Sequence, residues 1–97
     1  MALPLDASEA VKDALRQLKS DELTRPAYDA IAARIALLRN DPGAPQFRGN
    51  VFRVLDGQTV RVPLIYVPET QEEWAMAWAI TEPDGVATFT VVGLEKT

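Results

Sequence analysis

The 97-residue chain contains neither cysteine nor histidine. Without cysteine there is no disulfide framework and no thiolate site, and without histidine an imidazole base and the usual structural zinc site are excluded. No run approaches the roughly 18 apolar residues that span a bilayer, and no basic segment followed by an apolar stretch indicates a signal peptide. We therefore expect a cytoplasmic protein without membrane contact.

Glycine-rich phosphate-binding patterns are also missing. Gly49 and Gly57 belong to neither a GxGxxG nor a Walker motif, so the sequence predicts no nucleotide cofactor and no metal. The hydrophobic fraction of 47% and the charged fraction of 25% are ordinary for a globular protein. One domain over residues 1–97 is the expectation.

The net charge of −4 is unevenly distributed along the chain. Residues 25–66 carry six arginines against three aspartates, whereas residues 67–97 carry one lysine against six acidic residues. Arginine suits forked contacts to phosphate or carboxylate, although six solvated surface positions would give the same pattern. The acidic total argues against tight nonspecific binding of nucleic acid.

Two stretches in the first half of the chain have helical periodicity. Asp6 and Glu9 match a capping box ahead of an apolar stripe, and Met1 to Leu5 is expected to be frayed. Thr24 is the expected N-cap of a second helix, which Asn40-Asp41-Pro42-Gly43 ends. The predicted bounds are 6–23 for the first helix and 25–40 for the second.

Residues 73–80 alternate strictly between large and small side chains, which predicts a strand. We expect the alanine face to allow close packing, most simply by the two helices. The face with the larger residues is then either core or an intermolecular interface, and Trp74 and Trp78 are candidate binding residues. The large residues are Trp74, Met76, Trp78 and Ile80, and the small ones Ala75, Ala77 and Ala79.

Three further strands are predicted around this one. Residues 51–55 and 59–67 flank Asp56-Gly57-Gln58, a loop typical of a hairpin, and Pro63 is expected at an edge or a bulge. Residues 86–92 are the returning strand, which Gly93 ends or bends. The predicted fold is α+β, an N-terminal helical hairpin on a four-stranded antiparallel meander over residues 50–93.

Candidate catalytic residues lie on or beside the first two of these strands: Arg48, Arg53, Arg61 and Tyr66. Arg53 and Arg61 flank the hairpin at positions that could pair across it, and both are also candidate binding residues. Arginines beside a tyrosine could stabilise charge on a scissile phosphate or hold an acidic partner. A purely structural role remains open, and whether the chain is an enzyme is left undecided.

The order of these elements, with their short motifs, resembles the RelE/ParE superfamily of bacterial toxins. The motifs are Asp41-Pro42, Phe47-Arg48-Gly49 and Val51-Phe52-Arg53-Val54, and Arg61 with Tyr66 lies near the position of a further family strand. The resemblance covers residues 10–95. It implies a first strand that pairs into the sheet, for which Met1 to Leu5 is short, and it places Arg48, Arg53 and Arg61 at the family's basic strand positions.

The resemblance implies a module of a toxin–antitoxin system. Ribosome-dependent ribonucleases of the family end in a basic tail with a tyrosine, where this chain reads Leu94-Glu95-Lys96-Thr97. We therefore expect binding of a protein target or an antitoxin-like peptide rather than RNA cleavage. The alternatives are a non-catalytic α+β interaction domain, homodimeric through the Trp74/Trp78 strand, and an RNA-cleaving toxin.

Overall fold

Two helices cover one side of a mixed β-sheet in the computed structural model, which describes residues 2–43, 51–55 and 58–97. The α+β class predicted from the sequence is confirmed. The helices are α1 (Glu9–Ser20) and α2 (Arg25–Asn40). The strands of the described residues are β1 (Leu5–Ala7), β2 (Val51–Leu55), β3 (Gln58–Val62), β4 (Leu64–Val67), β5 (Glu72–Thr81) and β6 (Thr88–Lys96).

The sheet has the strand order β1-β6-β5-β3-β2. Strand β4 follows β3 along the same edge of β5 and also pairs with β5. All neighbours are antiparallel except β1 and β6, which run parallel. The expected four-stranded antiparallel meander therefore needs correction, because the sheet holds an additional N-terminal strand and is mixed.

Hydrogen bonds on both sides hold β1, which the sequence analysis expected to be partly frayed. The Phe89 N–H donates to the Pro4 carbonyl (2.9 Å), and the Ser8 N–H donates to the Val91 carbonyl (3.2 Å). On the other side, the Leu3 N–H donates to the Arg39 carbonyl (2.9 Å), and the Arg39 Nε donates back to the Leu3 carbonyl (2.8 Å). A three-residue strand is too short for periodicity to reveal, so only its tertiary partners define it.

The first helix is shorter than predicted at both ends. Ser8, not Asp6, is the N-cap: its hydroxyl accepts from the Val11 N–H (3.3 Å), and Asp6 lies within β1. Helix α1 ends at Ser20 rather than at residue 23. Helix α2 occupies the predicted range, but the Thr24 hydroxyl donates to the Leu18 carbonyl (2.9 Å) instead of capping it.

The predicted strand 59–67 is divided into β3 and β4 at Pro63. The Pro63 carbonyl accepts from the Met76 N–H (3.1 Å), and the ring is fully buried. Proline has no N–H to return, so the ladder is interrupted on the side facing β5, whereas we expected the residue at an edge or a bulge.

The last strand also differs from its predicted bounds. It begins at Thr88 rather than Val86 and continues past Gly93 to Lys96. Ala77 pairs with Gly93 and Trp78 with Val91, so Val92 is the extra residue of a β-bulge. A bulge bends a strand without ending it, so of the two predicted outcomes at Gly93, an end or a bend, the strand's continuation excludes the end.

The core lies between the helices and the side of the sheet that we call the inner face. The prediction that the alanine face packs on the helices is wrong, because the larger side chains of β5 fill this space and bury more apolar area. Trp78 stacks on Phe89 with 4.9 Å between the ring centroids. The buried cluster consists of Val11, Leu18, Ile31, Ile35, Leu38, Ile65, Met76, Trp78, Phe89 and Val91.

Candidate functional site

The opposite side of the sheet, the outer face, carries an apolar groove of ≈ 410 Å³. We call this cavity the outer groove. The described residues that line it all belong to strands β3, β5 and β6. Both helices pack on the inner face, as the composition of the core shows. The lining residues are Val60, Val62, Ala75, Ala77, Val92, Gly93 and Glu95.

Small residues form the floor of the outer groove. Gly93 lies opposite Ala77 across the β5–β6 ladder, and a methyl group added at Gly93 would sit 3.6 Å from the Ala77 Cβ, an ordinary contact distance. Ala75 continues the floor toward Glu95. Because these side chains hardly rise above the backbone, the valines of β3 and the bulged Val92 stand on either side of a shallow channel.

Larger apolar side chains continue the outer face beyond the groove. Leu64 lies opposite Ala75 and is 53% exposed, and Tyr66 lies opposite Glu73 and is 57% exposed. Val92 is 43% exposed. Their neighbours Ile65 and Val67 are buried on the inner face, which fixes the alternation of β4. The outer face therefore presents a contiguous apolar surface at the end of the sheet where β4 lies.

The charged residues on the β5 and β6 side of this surface include two glutamates, whereas on the β2 side Arg53 lies opposite Val60 in the register. Glu95 lines the groove, and Glu73 is exposed next to Tyr66. Lys96 lies opposite Trp74, and its Nζ is 2.7 Å from the Glu72 carboxylate. This hydrogen bond to Lys96 lowers the pKa of Glu72 below its usual value of 4.5. Lys96 is thus engaged by Glu72 and does not offset the charge of Glu73 and Glu95.

The predicted arginine and tyrosine candidates do not share one face. Arg61 lies opposite Trp78, on the inner face, and is half-buried, whereas Tyr66 is exposed on the outer face. The β2–β3 register places Phe52 opposite Arg61 and Val60 opposite Arg53, so the two arginines are not the directly paired residues that we expected. Arg48, together with the Phe47-Arg48-Gly49 motif and Asp56-Gly57, lies outside the described residues.

The tryptophan candidates belong to the inner face. Trp78 is 3% exposed within the core cluster, and Trp74 is partly buried against it. Of the two interpretations of this alternating strand, core or intermolecular interface, the structure favours core. The alanine face of this strand is therefore the one on the outer face of the sheet.

Two of the candidate catalytic residues can be located by their side chains, Arg61 and Tyr66, and they lie on opposite faces of the sheet. No group of three or more acidic side chains among the described residues is arranged to hold a metal ion. The outer groove is apolar apart from Glu95, a composition typical of binding pockets.

Sequence reasoning missed Val62, Leu64 and Val92 as site residues. The available signal was the alternation in residues 73–80: once the tryptophans are assigned to the core, the alanine face must be the outer one. The bulge at Val92 had no sequence signal beyond Gly93.

No protein-family model, curated protein or solved structure matches the chain. No helix among the described residues is long and apolar enough to cross a membrane.

Proposed function

We propose that the chain is a cytoplasmic RelE/ParE-like module, derived from a toxin of a toxin–antitoxin system, that acts by binding a protein target or antitoxin. The observation that carries this proposal is the outer groove with the exposed Leu64 and Tyr66 beside it. Exposed contiguous apolar surfaces on small proteins commonly mark interaction sites.

The order of elements supports the resemblance on which the proposal rests. A first strand, β1, pairs into the sheet ahead of the helical hairpin, as the resemblance implies. The antiparallel strands β2, β3, β5 and β6 follow the hairpin. Strand β1, which the sequence did not predict, therefore makes the element order more similar to that of the superfamily.

RNA cleavage, the other activity that the resemblance implies, has weaker support. It requires basic and proton-transferring groups around one phosphate, whereas Arg61 and Tyr66 lie on opposite faces of the sheet. If the chain does cleave RNA, Arg61→Ala should abolish the activity. Cleavage that survives this substitution would remove Arg61 from any catalytic role.

A non-catalytic interaction domain is the second candidate, and the same groove favours it. The two candidates differ in genetic context, because an antitoxin is encoded beside its toxin. We would express the chain alone and together with each adjacent small reading frame, recording growth and isolating the complex by affinity chromatography. We expect the chain to inhibit growth when it is expressed alone. We expect one adjacent reading frame to relieve this inhibition, and its product to co-elute with the chain.

An absence of any growth effect, with no neighbouring product that co-elutes, would contradict the toxin-derived proposal. Binding of an unrelated protein in the same assay would instead favour the interaction domain. The Ala33→Trp variant, which alters the exposed surface of α2, is the folding-matched control for any change made in the groove.

A further inference from the structure

The partner surface can be specified further than its apolar character. We propose that the outer groove binds a basic protein segment, one that inserts a large apolar side chain between flanking lysine or arginine residues. This inference deepens the proposed function and rests on it for the role of the partner. It follows from the shape of the groove and from the charges beside it.

The shape favours an inserted side chain over a flat contact. The floor consists of Ala75, Ala77 and Gly93, and valines rise on both sides of it. The volume of ≈ 410 Å³ is enough for a large aliphatic or aromatic side chain with part of its backbone. A central apolar anchor of this kind commonly supplies most of the energy of an interface.

The charges specify what surrounds that anchor. Glu95 lines the groove, and Glu73 lies on the same face beside Tyr66. Both glutamates lie at the β4–β6 side of the groove, away from the β2 side, where Arg53 lies opposite Val60. Complementary charge accelerates association and excludes wrongly charged partners, so lysine or arginine beside the anchor fits this rim.

A second copy of the chain fits less well. Two copies paired through this face by a twofold axis would bring Glu73 and Glu95 of both copies into one interface, and like charges within one interface are unfavourable. Of the basic residues of α1, Lys12 lies 3.6 Å from Glu9, Arg16 pairs with Asp13, and the Lys19 Nζ lies 5.8 Å from the centre of the Tyr28 ring. The self-association that the sequence analysis considered is therefore not the occupant we propose.

The test is a selection of phage-displayed random peptides on the full chain, with counter-selection on Ala77→Trp, which fills the floor of the groove. Ala33→Trp on α2 is the matched control. The expected peptides carry a large apolar residue and an excess of lysine and arginine, and they bind the wild type and Ala33→Trp equally. Val92→Ser, which removes one wall without adding bulk, should weaken binding as well.

The charge component is measured with one selected peptide by fluorescence polarisation. Glu73→Gln combined with Glu95→Gln should weaken its binding by about three- to tenfold, and added salt should reduce the difference, because exposed ion pairs are weak and screened. Peptides without a charge bias, acidic peptides, or no selection over Ala77→Trp would overturn the inference. A dimer in light scattering that Ala77→Trp disrupts would do so too, in favour of a second copy.

The proposed function fails separately from this inference. A co-eluting neighbour whose binding survives Ala77→Trp would leave the toxin-derived module intact and place its interface elsewhere. Groove-dependent basic peptides without any genetic partner would leave the binding surface intact and remove the toxin–antitoxin role.

Discussion

The two faces of the sheet differ in how their residues are used, although the same strands supply both. On the inner face Met76 and Phe89 are completely buried under the helices. On the outer face the groove is lined by alanine, glycine and valine, and of the valines Val60 is buried whereas Val92 is exposed. Because side chains alternate along a strand, adjacent residues can serve the core on one side and the proposed binding surface on the other.

The difference teaches that residue size alone does not mark a binding surface. Trp74 and Trp78 are candidate binding residues in the sequence, yet Trp78 is buried in the core. The alanines between them leave space that a partner can occupy. Substitutions on the inner face should therefore affect folding, and substitutions on the outer face should affect binding at nearly constant stability.

The largest effect is expected from Phe89→Ala. The side chain is fully buried and stacked on Trp78, so its loss should lower the free energy of unfolding by about 3–5 kcal/mol. Val92→Ala on the outer face should cost less than about 1 kcal/mol, since the residue is half-exposed. Urea unfolding of both variants measures the contrast. Similar losses would show that the two faces are equally well packed.

A smaller effect is expected where the helical layer holds the N-terminal segment. Arg39→Met removes the hydrogen bond from Nε to the Leu3 carbonyl while keeping the aliphatic stem, and should cost about 1–3 kcal/mol. Amide hydrogen exchange should increase most in residues 3–7. Arg16→Met, on the exposed surface of α1, is the control and should change little. If exchange in residues 3–7 were unaffected, the contact would not secure β1.

Ser8→Ala tests the helix that covers part of the inner face. The hydroxyl caps the Val11 N–H, so its removal should lower the free energy of unfolding by about 1 kcal/mol. Asp6→Ala serves as the control, because it removes the carboxylate that the sequence marked as the cap. A larger loss for Asp6→Ala than for Ser8→Ala would return the cap to Asp6.

The smallest effect is expected at the Glu72–Lys96 pair. Because Lys96 lowers the folded-state pKa of Glu72 below 4.5, the pair stabilises the protein above that pH. The contribution should be lost as the pH falls through the lowered value. The difference in Tm between wild type and Glu72→Gln should thus be small at neutral pH, shrink in acid and shrink in high salt. A difference that grew on acidification would contradict this assignment.

Local chemistry made much of the fold predictable. Turn residues and apolar spacing located α2 and strand 51–55 at their observed bounds. The remaining differences have tertiary causes. The strand at Leu5–Ala7 exists only through hydrogen bonds to distant residues, and the bulge at Val92 depends on how β5 and β6 meet. The Pro63 carbonyl accepts a hydrogen bond from Met76 inside the sheet. The missing N–H of proline alone did not predict this position.

The candidate site was less predictable than the fold. Arg61 on β3 and Tyr66 on β4 are close in sequence, and both strands pair with the same edge of β5. Because side chains alternate along this edge and the two residues are an odd number of positions apart, they lie on opposite faces. The groove arises where small residues of two strands meet, a coincidence of register that a single sequence does not display. Its position followed only from knowing which face the helices cover.

The parallel pairing of β1 with β6 has a consequence for how the protein is made. Of the described elements, β1 leaves the ribosome first and β6 leaves last. In the folded protein the two strands are neighbours, with Leu5 beside Phe89. Contacts between such distant segments close a long loop, and the entropic cost grows only slowly with its length. Residues 5–7 lack their partner strand until β6 has left the ribosome, so the sheet is completed only after that strand has emerged.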